Sequence, residues 1–304
     1  MPRPPMTRDV QVSKKLSWLL RHGIGQEKLQ MDAAGYVNVA DVLSNRNIRS
    51  LKVTLDELKE LVATNNKQRF SLISCHVQHT TGAVLADASC TAAELDAPVQ
   101  PPGSASDNPS DYLIRANQGH SVAIDSDSLL TKIDGTNIPD VCVHGTTKHA
   151  WTLIASSGGL RRMTRQHVHF AAGLPAGFKS IAKTENTAAE DGTGPTVPAP
   201  VISGMRNSST ILIYLDFAKA IDGGLKFWKS ANDVILTDGN EEGLVPLTFF
   251  KRVEDRTGGQ GILVQDGQIL KQPPAEWAHK GPNQRNGRAG AKKPQLKGED
   301  PGMP

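Results

Sequence analysis

The chain has 304 residues, 38% of them apolar and 5% aromatic, enough for one or two domains but lean for a single compact globule. The net charge of +3 hides an asymmetry: residues 1–72 carry +5 and residues 271–304 carry +4, so the middle is −6. Basic ends suit a polyanionic partner such as RNA, although a solubilising tail and a charged helix face would read the same way. No run approaches the roughly 18 apolar residues of a membrane span, and Pro-Arg-Pro-Pro after Met1 is no signal core. A soluble, unprocessed protein is expected.

Residues 10–22 read as an amphipathic helix, with Val12, Leu16, Leu19 and Leu20 at helical spacing and Arg21-His22-Gly23 closing it, the glycine as cap. Gly35-Tyr36-Val37-Asn38-Val39 alternates like a short strand. Thr54-Leu55-Asp56-Glu57 is a capping box ahead of Leu58, Leu61 and Val62. Lys67-Gln68-Arg69-Phe70-Ser71-Leu72 reads as a strand with a basic face. Helices closed by short strands within residues 1–73 suggest a small winged-helix-like module. Residues 74–111 are small, polar and Pro/Gly-rich, and are expected to be a disordered insertion. A second lobe is expected over 112–256, with strands at Val141-Cys142-Val143, Ile211–Leu215 and Val234-Ile235-Leu236 and a low-complexity interruption at 183–200. Residues 257–304 show no periodicity and are expected to be a disordered basic tail. The fold class is α+β.

Certain polar residues sit oddly in this frame. Arg21, Arg69 and Arg165 each abut large apolar residues inside folded-looking sequence. A buried guanidinium is costly unless an anion pairs with it, so three of them suggest one converging anion site. Each arginine alone could equally be an ordinary surface ion pair. His144-Gly145-Thr146 leaves a strand end, where glycine would let a ligand approach the backbone. His167 and His169 share a strand face, a spacing that permits zinc, but no third ligand stands nearby. The cysteines (Cys75, Cys90, Cys142) are scattered, form no disulfide framework or metal knuckle, and fit a reducing cytoplasmic or nuclear compartment. No metal is expected. There is no Gly-x-Gly-x-x-Gly fingerprint, phosphate loop or nucleophile elbow.

Read in order, these blocks resemble the tRNA 2′-phosphotransferase family, NAD-dependent enzymes that remove a 2′-phosphate from RNA. The blocks are Ser13–Ser17 through Arg21-His22, Gly35-Tyr36-Val37, Asn66–Phe70, Ile114–Ser121, His144-Gly145-Thr146, Arg165–His169, Ser203-Gly204-Met205-Arg206 and Lys226–Ser230. The resemblance covers about 8–73 and 112–253. It implies a winged-helix-like N-terminal lobe and an ADP-ribosyltransferase-type β lobe, with NAD consumed as co-substrate against the second. The family's catalytic positions fall on Arg21, His22, Arg69 and Arg165. The NAD pocket falls on His144, Gly145, Thr146, His169 and Val234, with Asn117, Gln118 and Ser121. Two departures stand out: Ala34 replaces the family's acidic residue before Gly35-Tyr36, and Asn232-Asp233-Val234 replaces Asn-Gly-Val.

The implied reaction moves the internal 2′-phosphate of ligated tRNA to NAD, giving 2′-hydroxyl RNA, nicotinamide and ADP-ribose 1″,2″-cyclic phosphate. Two alternatives keep the same basic lobe: an ADP-ribosyltransferase with another acceptor (an RNA terminal phosphate or a protein), and a non-catalytic RNA-binding module. Nothing in the sequence demands more than a monomer.

Overall fold

The computed structural model describes residues 5–75, 106–134, 136–181, 201, 203–257 and 259–278. The apolar spacing of the first segment builds helix α1 (Arg8–Trp18), which buries Val12 and Leu16. The chain does not stop at Gly23 as expected. It widens into a π turn over Leu19–Gly23 and continues as α2 (Ile24–Glu27), ending only at Lys28 with φ 53°. Gly23 itself is right-handed, at φ −93° and ψ −10°. A Cβ there would stand 2.8 Å from the Trp18 ring, so close packing, not a cap, accounts for the glycine.

After strand β1 (Val37–Asn38), two short helices follow, α3 (Val39–Ser44) and α4 (Arg46–Arg49), with Asn38 and Asn45 as their side-chain caps. Helix α5 (Leu55–Thr64) starts where the capping box predicts, the Thr54 hydroxyl accepting the Glu57 N–H at 3.2 Å. Strand β2 (Phe70–Ser74) then pairs antiparallel with β3 (Tyr112–Ala116). The three strands run in the order β1-β3-β2.

Strand β3 therefore belongs to the first lobe and not, as expected, to the second. Its alternate residues Tyr112, Ile114 and Ala116 pack with Leu16, Leu20 and Leu58 in the helical core. Cys75 N–H donates to Asp111 O at 2.7 Å, closing the sheet edge on either side of 76–105. The disorder expected of 74–111 falls mainly outside the described residues, as does that of 183–200. Within the described part, Pro109–Asp111 forms a 3₁₀ turn capped by Asn108.

The second lobe is built on a nine-stranded antiparallel sheet. In chain order its members include β4 (Thr131–Ile133) after the short helix α6 (Ser126–Leu129), then β5 (Val143–Thr146). Helix α7 (Lys148–Ser156) and strand β6 (Gly159–Arg161) lead to β7 (Val168–Ala171) and β8 (Ile211–Leu215). Helix α8 (Phe217–Asp222) precedes β9 (Phe227–Lys229), β10 (Val234–Thr237) and β11 (Leu244–Pro246). Strands β12 (Phe250–Asp255), β13 (Ile262–Gln265) and β14 (Gln268–Ile269) complete it. Their spatial order is β14-β13-β12-β8-β5-β7-β10-β9-β4, while β6 and β11 form a separate ribbon. Strand β5 is interior, between β8 and β7, and Trp151, Phe170, Phe227 and Phe250 anchor the core. The molecule is α+β.

The tail expected from 257 starts too early. Leu263 and Val264 are completely buried against β12, and Trp277 packs into the main core from a 3₁₀ turn at Ala275–Ala278. Residues 279–304 lie outside the described residues. Among the described residues no helix is long and apolar enough to cross a membrane.

Candidate functional site

Three irregular pieces of backbone bring the arginines together. The π turn carries Arg21 and His22. Gln68, left-handed at φ 43°, sets Arg69 at the entrance to β2, and Met163, at φ 58°, precedes Arg165 in a tight turn. Such conformations cost free energy and persist where the surrounding structure fixes them. None of the three arginines has a carboxylate partner among the described residues. Among the described residues Arg21 gives one bond, to Gln118 Oε1 at 3.4 Å, and its buried Nε has no partner. Arg69 leans on Asn65 Oδ1 at 3.2 Å.

Charge repulsion records the convergence. Burial, then Arg165 and Arg69, pull the Arg21 guanidinium down to about 10. Burial and the neighbouring Arg206 also lower Arg165. His22 is pushed below its ordinary value by burial and by Arg165 and Arg21, so it is neutral at pH 7. Its Nδ1 lies 2.9 Å from Ser121 Oγ, and Ser121 N–H donates to Arg21 O at 3.0 Å. Arg21, His22 and Arg69 thus line one concave cleft. Arg165 lies near enough to repel Arg21 and His22, and none of these arginines is paired with a carboxylate among the described residues. Such a space stabilises a polyanionic group such as a phosphate.

The second lobe offers acceptors to the same region. His144 Nδ1 lies 2.7 Å from His169 O, and His169 Nδ1 lies 3.0 Å from His167 O. Each ring must donate from Nδ1, which leaves each Nε2 as a bare acceptor. Burial keeps both rings neutral. His169 Nε2 is buried and has no partner among the described residues. Gly119 (φ +91°) lies between the lobes; a Cβ there would stand 3.6 Å from both Arg21 Cδ and His169 Nε2.

The remaining expected residues fall into place differently. Asn117 is buried and bound within the first lobe, donating to Gln68 O at 2.7 Å and accepting from Ser71 Oγ at 2.6 Å. Thr146 O accepts Thr210 N–H at 2.8 Å. Val234 is completely buried with Leu130, Trp228 and Leu236, and its N–H is held by Ser230 Oγ. Gly145 does not open the backbone to a ligand on its side-chain side, because a Cβ there would stand 2.7 Å from Met205 Sδ and Ser209 Oγ. Gly145→Ala is expected to destabilise the fold by about 1–3 kcal/mol through overpacking, read from urea midpoints; an unchanged midpoint would contradict this packing role.

Sequence reasoning missed the lobe-to-lobe clasp and one buried histidine. Lys67 O accepts from Asn232 Nδ2 at 2.9 Å and from Ser203 Oγ at 3.2 Å, while Gln166 N–H donates to His120 O at 2.9 Å. His120 is 1% exposed, with neither ring nitrogen partnered among the described residues. Only the Gln-Gly-His-Ser run containing it gave a signal. The Asp233 departure is accounted for by its left-handed φ of 59°, a conformation glycine or aspartate tolerates. No group of three metal-ligating side chains occurs among the described residues.

Residues 7–239 match the RNA 2′-phosphotransferase, Tpt1 / KptA family. The chain is 36% identical to the tRNA 2′-phosphotransferase 1 of Danio rerio over 250 residues, 82% of this chain and 86% of that protein. It is 32% identical to the Homo sapiens protein of the same name, over 82% of this chain and 78% of that one. It is 30% identical to the tRNA 2′-phosphotransferase of Saccharomyces cerevisiae, over 81% of this chain and 84% of that one.

Proposed function

Because this chain belongs to the RNA 2′-phosphotransferase family and is an enzyme of that class, we propose that it moves the internal 2′-phosphate of spliced tRNA to NAD. The observation that supports this reading is the set of three arginines, drawn from both lobes and free of carboxylate partners among the described residues. We read the first lobe as winged-helix-like and the second as ADP-ribosyltransferase-type, divided near residue 120. A cytoplasmic or nuclear location fits tRNA processing. One chain supplies every residue named, so a monomer suffices.

In this reading Arg21, Arg69 and Arg165 grip the RNA 2′-phosphate and hold it against the second lobe. A phosphate is already nucleophilic, so the first step asks for positioning and not for a general base. The neutral His144 and His169 suit an NAD site, since two Nε2 acceptors can hold ribose hydroxyls; the orphaned Nε2 of His169 fits that use. Thr146 and Gln118 are proposed to line it. Asn117 and Gly145 are proposed to shape it from behind, and Val234 by packing. When bound, NAD supplies the ribose carbon that takes the phosphate with loss of nicotinamide, and the 2″-hydroxyl that closes the cyclic phosphate and frees RNA. The arginines stabilise charge growing on the phosphorus oxygens. His22, neutral in the free enzyme, can take up a proton from solvent as the phosphate binds and give it to the departing RNA oxygen, while the proton lost by the attacking 2″-hydroxyl passes to solvent.

The test is release of nicotinamide from NAD with three RNAs of one sequence, bearing an internal 2′-phosphate, a 2′-hydroxyl or only a terminal phosphate. Release confined to the first is expected. Equal release with the terminal phosphate would favour transfer to another acceptor, and none with any RNA would favour a binding module.

A further inference from the structure

A cleft of about 550 Å³ on the first lobe is lined by Arg21, His22 and Arg69, so it opens onto the phosphate site. Its lining also includes Lys14, Trp18 and Asn66. A second hollow, of about 400 Å³, shares Lys14 and Trp18 with it. Trp18 is therefore a ridge between two depressions. Lys14 and Trp18 lie four residues apart on one side of α1, and Arg21, in the π turn that follows, lines the same cleft.

The indole is unusual in this molecule. Of four tryptophans, Trp151, Trp228 and Trp277 are 0%, 5% and 7% exposed, whereas Trp18 is half-buried. Its Nε1 meets no protein acceptor among the described residues. Gly23 gives the ring its seat, as any side chain there would collide with it. Around it the cleft carries Lys14, Arg21 and Arg69 against one carboxylate, Asp9. Lys14 has no carboxylate partner among the described residues and rests on the Met6 sulfur, a weak acceptor, at 2.8 Å. Trp18 packs partly against the first lobe's core and is left part-exposed where it lines the cleft. A part-exposed indole between cations unpaired among the described residues suits single-stranded nucleic acid, where a base can stack and the backbone phosphate meet the cation.

We propose that this cleft holds the RNA strand beside the 2′-phosphate, with Trp18 stacking the neighbouring nucleobase and Lys14 meeting its phosphate. The inference rests on the phosphotransfer reading above and extends it to substrate recognition away from the reacting phosphorus. Trp18 touches no reacting atom, so it governs affinity and not the chemical step.

The experiment compares 2′-phosphorylated RNAs that are intact or abasic on either side of the phosphorylated nucleotide. With Trp18→Ala, KM for the intact RNA is expected to rise about 5- to 100-fold while kcat holds. KM for the RNA abasic at the stacked position should not move, and Trp18→Phe should keep most of the affinity. RNA should also quench the tryptophan emission of the wild-type enzyme and not that of Trp18→Phe. Equal loss on intact and abasic RNA, an unchanged KM, or quenching that survives Trp18→Phe would each overturn the proposal. If Trp18→Ala does not fold, the wild-type preference for intact over abasic RNA and the Trp18→Phe emission decide. If the wild type leaves the phosphate in place, the phosphotransfer reading fails instead, and quenching by RNA still tests the stacking.

Discussion

Arg21→Lys is expected to lower kcat/KM for 2′-phosphorylated RNA about 100- to 1,000-fold, with most of the loss in kcat. Among the described residues Arg21 spends one N–H on Gln118 and holds a buried Nε with no partner, so most of its planar fork is left for the proposed phosphate. An ammonium cannot reproduce a two-point grip. It would also be a poorer cation in this position. Burial and the charges of Arg165 and Arg69 bring even the guanidinium down to about 10, and the same surroundings would carry a lysine toward neutrality. The variant should therefore recover some activity as pH falls, the ammonium being favoured by acid. Activity within a few-fold of wild type with normal folding would contradict the phosphate-gripping role.

Acid is expected to loosen the fold before the carboxylates titrate. Burial keeps His120 neutral down to about 3 and His167 down to about 4, from an ordinary value of 6.5. Neighbouring cations push the same way, with Arg21 beside His120 and Arg162 beside His167. The unfolded chain binds these protons near pH 6.5 and the folded chain does not. Stability is therefore full above about 6.5 and falls as pH drops below it. Between pH 7.5 and 5.5 the two histidines cost about 3 kcal/mol. His169, well below its ordinary value, adds in the same direction. His120→Phe should remove roughly half of that two-histidine loss, about 1.4 kcal/mol, in urea unfolding at the two pH values. A flat stability across this window, or an unchanged slope in His120→Phe, would contradict the buried neutral state.

Much of this was legible where side-chain chemistry speaks locally. The capping box at Thr54, the strands at Ile211–Leu215 and Val234-Ile235-Leu236, and three arginines in apolar settings all follow from residue type and spacing. What escaped was set by distant contacts or by rare backbone. Periodicity predicts an α-helix through Leu19–Leu20 and carries no sign of a π turn. Strand β3 reads the same whichever sheet it joins; its pairing with β1 and β2 and the burial of Ile114 against the first lobe's helices assign it. The β13–β14 hairpin did leave a mark, since Asp266-Gly267 is a two-residue turn with positive φ at both positions (50° and 80°), hidden within a Gly/Gln-rich run. Asn232 bonds across the lobes to Lys67, 165 residues away in sequence, a contact that no local pattern encodes.

The most direct test of the phosphotransfer account is to follow the phosphorus. RNA labelled at a single internal 2′-phosphate is incubated with the enzyme and NAD, and the label is traced to its product. The account predicts label on ADP-ribose 1″,2″-cyclic phosphate and an RNA ending with a free 2′-hydroxyl. Label appearing as inorganic phosphate, or staying on RNA that now carries ADP-ribose, would contradict it.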